Sequence, residues 1–228
     1  MTTLFERPGD RPLADRLRPA SLEQVVGQDH LLSPEGPLGR MLAAGRLGSI
    51  ILWGPPGCGK TTIARLLAER TSLHFEPLIA VFSGEADLRK EFYAAARRKA
   101  AGQGTLLFVD EIHRFNRAQQ DGFLPYVENG TVVLVGATTE NPSFELNGAL
   151  LSRTQVLVLR RLDDEALDAL IGRAEAELGR TLPLQADGRA ALKAMADGDG
   201  RYILNLIEAL ATLPPEPALD AGALARLV

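Results

Sequence analysis

Eight consecutive residues, Gly54-Pro55-Pro56-Gly57-Cys58-Gly59-Lys60-Thr61, fit the pattern G-x-x-x-x-G-K-[ST] in full. The apolar run Ile50-Ile51-Leu52-Trp53 leads into them, and Ile63, Leu66 and Leu67 recur at helical spacing beyond. That context predicts a strand, a phosphate-binding loop and a helix over 60–70. Glycines let successive backbone N–H groups turn inward onto phosphate oxygens, and the helix N-terminus adds partial positive charge. Lys60 is placed to reach the β- and γ-phosphates of a nucleotide, and Thr61 to offer a hydroxyl to Mg²⁺. Thr62 completes the expected cradle.

A second apolar run, Leu106-Leu107-Phe108-Val109, ends in Asp110-Glu111. A buried strand ending in two acids delivers both carboxylates to the sheet edge. Asp110 there suits a Mg²⁺ hydration shell, and Glu111 suits polarising a water for in-line attack on the γ-phosphate. A third strand-like stretch ends in Ala137-Thr138-Thr139-Glu140-Asn141. A polar group there can orient the attacking water, and the pattern does not choose among Thr138, Thr139 and Asn141. Phosphoryl transfer also needs cations where charge accumulates. Arg153 and Arg201 are the candidates, each equally consistent with a solvated surface arginine. His30, His74 and His113 lack metal-ligand spacing and read as structural or surface residues. Cys58 reads as filler within the loop.

These groups need a scaffold. Five short apolar runs, at 50–53, 75–81, 106–109, 132–135 and 156–159, alternate with amphipathic stretches. That is the pattern of parallel strands buried on both faces, joined by helices. After Leu159 the period changes: Leu167, Leu170, Ile171, Ala174 and Leu178 give one helix opened by Asp163, and 190–196 and 203–213 give two more. The expected fold is α/β, a three-layer αβα core with a five-stranded parallel sheet over 1–160, then a small all-α domain over 161–228.

The chain has 228 residues, 46% of them hydrophobic, with 25 Lys+Arg against 29 Asp+Glu and a net charge of −4. This composition excludes disordered and fibrous classes. No apolar run approaches the ~20 residues of a membrane-spanning helix, and the opening lacks a signal-peptide core. A single cysteine excludes an internal disulfide framework, so a cytoplasmic location is expected. Residues 163–228 carry six bases and twelve acids, leaving +2 on the first 162. Any nucleic-acid contact therefore needs a local patch. Arg89-Lys90 and Arg97-Arg98-Lys99 offer one, although the same run is ordinary for a solvated helix face.

Taken in order, GPPGCGKT, LLFVDE, GATTENP, LLSR and GDGRYILN resemble an AAA+ ATPase, itself a P-loop NTPase fold. Asp110-Glu111-Ile112-His113-Arg114-Phe115-Asn116-Arg117, the run Gly136 to Asn147, and Pro12 to Pro19 with Val26-Gly27-Gln28 are similar to the bacterial replication-associated recombination protein A family, a clamp-loader-like clade. The resemblance implies an oligomeric, Mg²⁺-dependent ATPase acting on DNA at stalled forks and single-strand/duplex junctions. It also implies cooperation with single-stranded-DNA-binding protein and a nucleoid-associated place in the cytoplasm. By motif, it makes Thr139 the sensor of the γ-phosphate or water, Arg153 a finger reaching into a neighbouring subunit, and Arg201 a second sensor on the helical lid. Val26, Gly27 and Gln28 would border the adenine, with ATP between core and lid.

Two features depart from the family. Its lid motif carries paired arginines where this chain has Arg201-Tyr202, and its members continue into an oligomerisation collar that is expected to be absent here. Two rival readings share the loop. A small-molecule kinase would not need Glu111 to activate water. A nucleotide-gated clamp-loader-type binding subunit would hydrolyse little on its own.

Overall fold

A computed structural model of the chain describes residues 11–227. It divides into two compact units. One comprises residues 21–55 and 59–160; the other comprises the residues up to Ala20, the loop tip Pro56–Cys58, and the chain from Arg161 onward.

The first unit is built on β1 (Ile50–Trp53), β2 (His74–Ile79), β3 (Thr105–Asp110), β4 (Val133–Thr138) and β5 (Gln155–Val158). All neighbouring pairs are parallel, in the order β2-β3-β4-β1-β5. The register sets Trp53 beside both Thr138 and Val158, and Val109 beside Gly136. The carboxyl ends of the strands therefore share one edge, where open α/β sheets bind ligands. Parallel pairing needs crossovers. After α1 (Pro37–Ala43), two longer helices provide them: α2 (Lys60–Arg70) between β1 and β2, and α3 (Glu85–Ala100) between β2 and β3.

Side chains alternate across the sheet. Ile51, Leu107, Val109 and Leu134 pack on one face with Leu88, Phe92 and Ala95 of α3 and with Ile112, Phe115 and Phe123. Phe92 meets Phe123 edge-on at 5.4 Å and stacks on Tyr126 at 4.0 Å. The intervening residues Ile50, Leu52, Leu106 and Val135 are equally buried, and α2 contributes Ile63, Ala64 and Leu67 to the interior. Burial on both faces holds for β1 and β3 but not at the sheet's edges. In β5, Val156 and Val158 are exposed. β2 ends at Ile79, two residues before its expected end, in a 3₁₀ turn over Ala80–Phe82 that leaves Val81 and Phe82 in solvent.

The second unit contains α4 (Asp164–Leu178), α5 (Ala186–Ala196), α6 (Gly200–Leu210) and α7 (Ala221–Leu227). The Asp163 carboxylate accepts from Ala166 N–H at 2.9 Å and opens α4, and Gly179, at φ +67°, closes it. α5 starts four residues earlier than its apolar pattern suggests. Gly188 allows this, because a Cβ there would lie 2.4 Å from the Leu219 carbonyl oxygen. α6 likewise begins at Gly200 rather than Ile203, since Asp199 caps it by accepting from Arg201 and Tyr202 N–H groups at 2.9 Å. Lys193 joins Asp164 and Asp168, at 3.0 and 2.7 Å, and Arg189 joins Asp168 and Glu175 at 3.2 Å each.

Residues 11–20 group with these helices instead of with the sheet, which differs from a core running from residue 1 to 160. The physical reason is local. Leu13 is fully buried, its N–H donates to Glu208 Oε1 at 2.9 Å, and Arg16 pairs with Glu177 at 3.2 Å. Residues 1–10 and 228, which the expected domain spans include, lie outside the described residues. Among the described residues, no helix is long and apolar enough to cross a membrane.

Candidate active site

The phosphate-binding loop leaves the end of β1. Its first N–H, from Gly54, donates to the Thr138 carbonyl at 3.1 Å, tying the loop to the end of β4. A Cβ on Gly54 would lie 2.7 Å from the Leu159 oxygen, so only glycine fits there. Gly57 and Gly59 have φ of +67° and +102°, the left-handed conformation that glycine reaches without steric cost and on which anion-binding turns of successive amides depend. Lys60, 8% exposed, folds back so that its ammonium donates to the carbonyls of Gly54 (2.7 Å) and Pro55 (2.8 Å). An ammonium has three donors; two brace the loop and the third is available to a phosphate oxygen.

Thr61 and Thr62 are half-buried on the first turn of α2, and Cys58 is buried. The loop tip belongs to the helical unit: Gly200 N–H donates to the Gly57 carbonyl at 3.2 Å, and a Cβ on Gly57 would lie 1.8 Å from Asp199 Oδ1. Arg201, the next residue, is exposed at the start of α6.

β4 lies between β1 and β3, so Asp110 and Glu111 emerge beside Thr138 on the edge that carries the loop. Asp110 is half-buried at the end of β3. Glu111 has φ +53° and ψ +46°, rare for a residue with a side chain and a form of strain found at functional sites. Its Oε2 lies 3.4 Å from His113 Nδ1, which lies 2.9 Å from Thr138 Oγ1. Thr138 is fully buried, and Glu140 N–H donates to its Oγ1 at 3.0 Å. The polar contacts of this corner go to Thr138; Thr139 follows it, half-buried.

Thr61 and Asp110 supply one hydroxyl and one carboxylate, hard oxygen donors suited to Mg²⁺. Among the described residues, no three His, Cys, Asp or Glu side chains converge to hold a metal. A Mg²⁺ ion completed by water and substrate phosphates needs no such cage, so these residues fit that ion.

The remaining expected residues lie elsewhere. Gln28 is fully buried, and its amide pairs with the backbone of Arg160, donating to the carbonyl (2.8 Å) and accepting from the N–H (3.1 Å). It fastens Val26 and Gly27, the latter at φ +72°, to the end of β5. Arg153 precedes β5, whose first residue Gln155 pairs with Ile50 at the start of β1. The arginine therefore sits at the opposite edge from the loop, a strand length or roughly 13 Å away at ~3.3 Å per residue. Its guanidinium, about one-third exposed, contacts Glu128 through Nε and Nη2, and Ala149 O (2.8 Å) and Ser152 Oγ (3.0 Å) through Nη1. In the basic stretch of α3, Arg98 pairs with Glu76 (2.6 Å) and Lys99 donates to Asn129 O (2.6 Å), while Lys90 and Arg97 are exposed.

Residues 50–162 match the ATPase family associated with various cellular activities (AAA). The chain belongs to the AAA ATPases. It is 50% identical over 205 residues to replication-associated recombination protein A of Coxiella burnetii, covering 88% of this chain and 46% of that protein. It is 45% identical over 208 residues to the Escherichia coli K12 protein of the same name, covering 89% and 46%. Thermotoga maritima RuvB, a Holliday junction branch migration motor, shares the fold with a TM-score of 0.73 and 25% identity over 92% of this chain and 72% of its own. The chain spans about half the length of the curated relatives it matches.

Two residues of this AAA ATPase had no functional signal in the sequence reading, His113 and Glu128; Thr138 was one of three candidates at the end of its strand, and its burial against His113 is what the sequence did not show. His113 is neither surface nor idle, since its side chain is 8% exposed and sits beside Glu111. Its place three residues after Asp110, inside a one-turn 3₁₀ helix, could have flagged it. Glu128 is separated from Arg153 by a strand and two short helices, and no spacing rule joins them.

Proposed function

We propose that this AAA ATPase hydrolyses ATP with Mg²⁺ and uses the energy on DNA, at forks and single-strand/duplex junctions. One observation carries the hydrolytic part. The phosphate loop, Asp110-Glu111 and Thr138 share one sheet edge, with Glu111 held by a strained backbone and a buried polar neighbour. In this reading, loop amides from Gly54 to Gly59 and Lys60 bind the phosphates, and Thr61 and Asp110 hold Mg²⁺, which supplies charge neutralisation. Thr62 completes the cradle. Glu111 accepts hydrogen from the attacking water, and Thr138 or Thr139 steadies that corner. Val26, Gly27 and Gln28 border the base, and Arg201 senses the nucleotide.

Arg153 stands at the strand edge opposite the loop of its own chain, about a strand length away. Its position suits donation to a neighbouring copy, which makes assembly part of the function. DNA as substrate rests on the likeness to replication-associated recombination protein A and to a Holliday junction branch migration motor, whereas single-stranded-DNA-binding protein as partner and a cytoplasmic, nucleoid-associated location are proposed from the motif resemblance alone. Steady-state ATP turnover, measured with and without EDTA and with forked, single-stranded or blunt duplex DNA, tests the reading. Turnover abolished by EDTA and raised most by the fork is expected. Turnover indifferent to every DNA overturns the DNA half, and ATP binding without turnover favours a nucleotide-gated binding subunit.

A further inference from the structure

We infer that His113 is a positioning residue for Glu111, carrying its proton on Nδ1 and holding the glutamate's carboxylate beside the loop's edge of the sheet. This inference rests on the hydrolytic role of Glu111 proposed above. The argument starts from hydrogen-bond satisfaction. Thr138 Oγ1 accepts from Glu140 N–H at 3.0 Å, and its hydroxyl donates to the Glu140 carbonyl at 3.2 Å. The remaining contact of that buried oxygen, with His113 Nδ1 at 2.9 Å, is then an acceptor position needing a donor.

Glu111 makes the same demand. Its Oε2 lies 3.4 Å from the same nitrogen, and a bare nitrogen would turn its lone pair on a carboxylate. One proton on Nδ1 hydrogen-bonds the Thr138 oxygen at 2.9 Å and turns its positive end toward Glu111 Oε2, an electrostatic contact at 3.4 Å. The alternative tautomer would take the Thr138 proton from the Glu140 carbonyl to the ring and leave Glu111 facing a lone pair.

The backbone explains why such a brace is useful. Glu111 occupies the left-handed region, so its side chain leaves the strand in a direction that β3 does not impose. Leaving the carboxylate with rotamer freedom would spread it over several orientations. A donor fixed in a buried ring, 8% exposed and itself anchored to β4 through Thr138, selects one of them. It engages Oε2 and leaves Oε1 for water. Because Thr138 also binds the first amide of the phosphate loop through its carbonyl, the same residue references both the loop and the base to β4.

Two measurements test the assignment. In the first, His113→Ala is expected to lower kcat about 10- to 100-fold with the ATP dissociation constant unchanged, the loss associated with disturbing an outer-shell brace. His113→Asn, which keeps an N–H donor near the Nδ1 position, is expected to recover most of the turnover. A His113→Ala enzyme with unchanged kcat overturns the inference. So does an Asn variant as impaired as the Ala one, or a loss that appears as weakened ATP binding. Thr138→Val, a near-isosteric removal of the anchor, is expected to lower kcat in the same sense, which covers the case of an Ala variant that does not fold.

The second measurement needs no turnover. The ¹⁵N resonances of the His113 ring in the unaltered chain are expected to show Nδ1 protonated and Nε2 bare, and the reverse overturns the inference. If the unaltered chain shows no hydrolysis at all, the role of Glu111 fails first. If it hydrolyses ATP and ignores His113, only the present inference fails.

Discussion

Replacing Glu111 by Gln separates binding from chemistry more cleanly than any other change in this AAA ATPase. The side chain is one-third exposed and its recorded polar contact is the 3.4 Å approach to His113. A contact of that kind is worth about 0–1 kcal/mol, so folding stability should change by no more than that. Gln matches Glu in shape and keeps an oxygen that can accept from the ring. The loop amides and Lys60 are untouched, so the phosphates keep their ligands and the ATP dissociation constant should stay within about twofold, as for a group acting only in the transition state. What disappears is the base proposed to accept a proton from the attacking water. General-base catalysis contributes about 10²- to 10⁴-fold, or roughly 3–5 kcal/mol of barrier at ~1.4 kcal/mol per decade. The assay is steady-state phosphate release at saturating ATP, paired with equilibrium binding of a fluorescent ATP analogue. A turnover within tenfold of the unaltered chain would refute the reasoning, as would a dissociation constant that rises as far as kcat falls.

Three further outcomes follow from packing and charge. Phe123→Ala empties a fully buried site where Phe92 and Phe115 meet the ring at 5.4 and 5.7 Å, and should cost about 3–5 kcal/mol in denaturant unfolding. Gly57→Ala places a Cβ 1.8 Å from Asp199 Oδ1 at a φ of +67°, so it should lower thermal stability and weaken nucleotide binding together; loss of neither would contradict the loop geometry. Lys193, donating to Asp168 at 2.7 Å, holds that carboxyl below the usual range, against the opposing effect of burial and with help from Arg189. A depressed folded-state pKa stabilises above the unfolded value and ceases to do so as pH falls through the folded one. Asp168→Asn should therefore melt below the unaltered chain at pH 7, with the gap closing under acid conditions; a pH-independent gap would contradict the ion pair's role.

Much of the site was legible because its chemistry is local in sequence. The loop needs glycines, a lysine and a threonine at fixed offsets, and Asp110-Glu111 needs only a buried strand to carry it. The sheet followed from short apolar runs alternating with amphipathic stretches, although only the inner strands are buried on both faces. What escaped was tertiary. That Thr138 rather than Thr139 contacts the His113 ring depends on which side of β4 faces it, since two adjacent threonines on a strand point opposite ways. The link from Glu128 to Arg153 crosses β4 and the short helices that follow it, so neither residue hints at the other. Leu13 reads as an isolated apolar residue among prolines and charges, and only the fold reveals that it is buried in the helical unit. Nothing in the sequence around Gln28 announces that its amide pairs with the backbone of Arg160, which fixes the segment expected to border the base.

The central claim is that this chain hydrolyses ATP at a site its own arginine cannot complete. ATP turnover per chain, measured across a wide range of protein concentration for the unaltered protein and for Arg153→Ala, tests it most directly. The account predicts specific activity that climbs with concentration and a climb that Arg153→Ala removes. Activity that is flat with concentration and insensitive to Arg153 would contradict it.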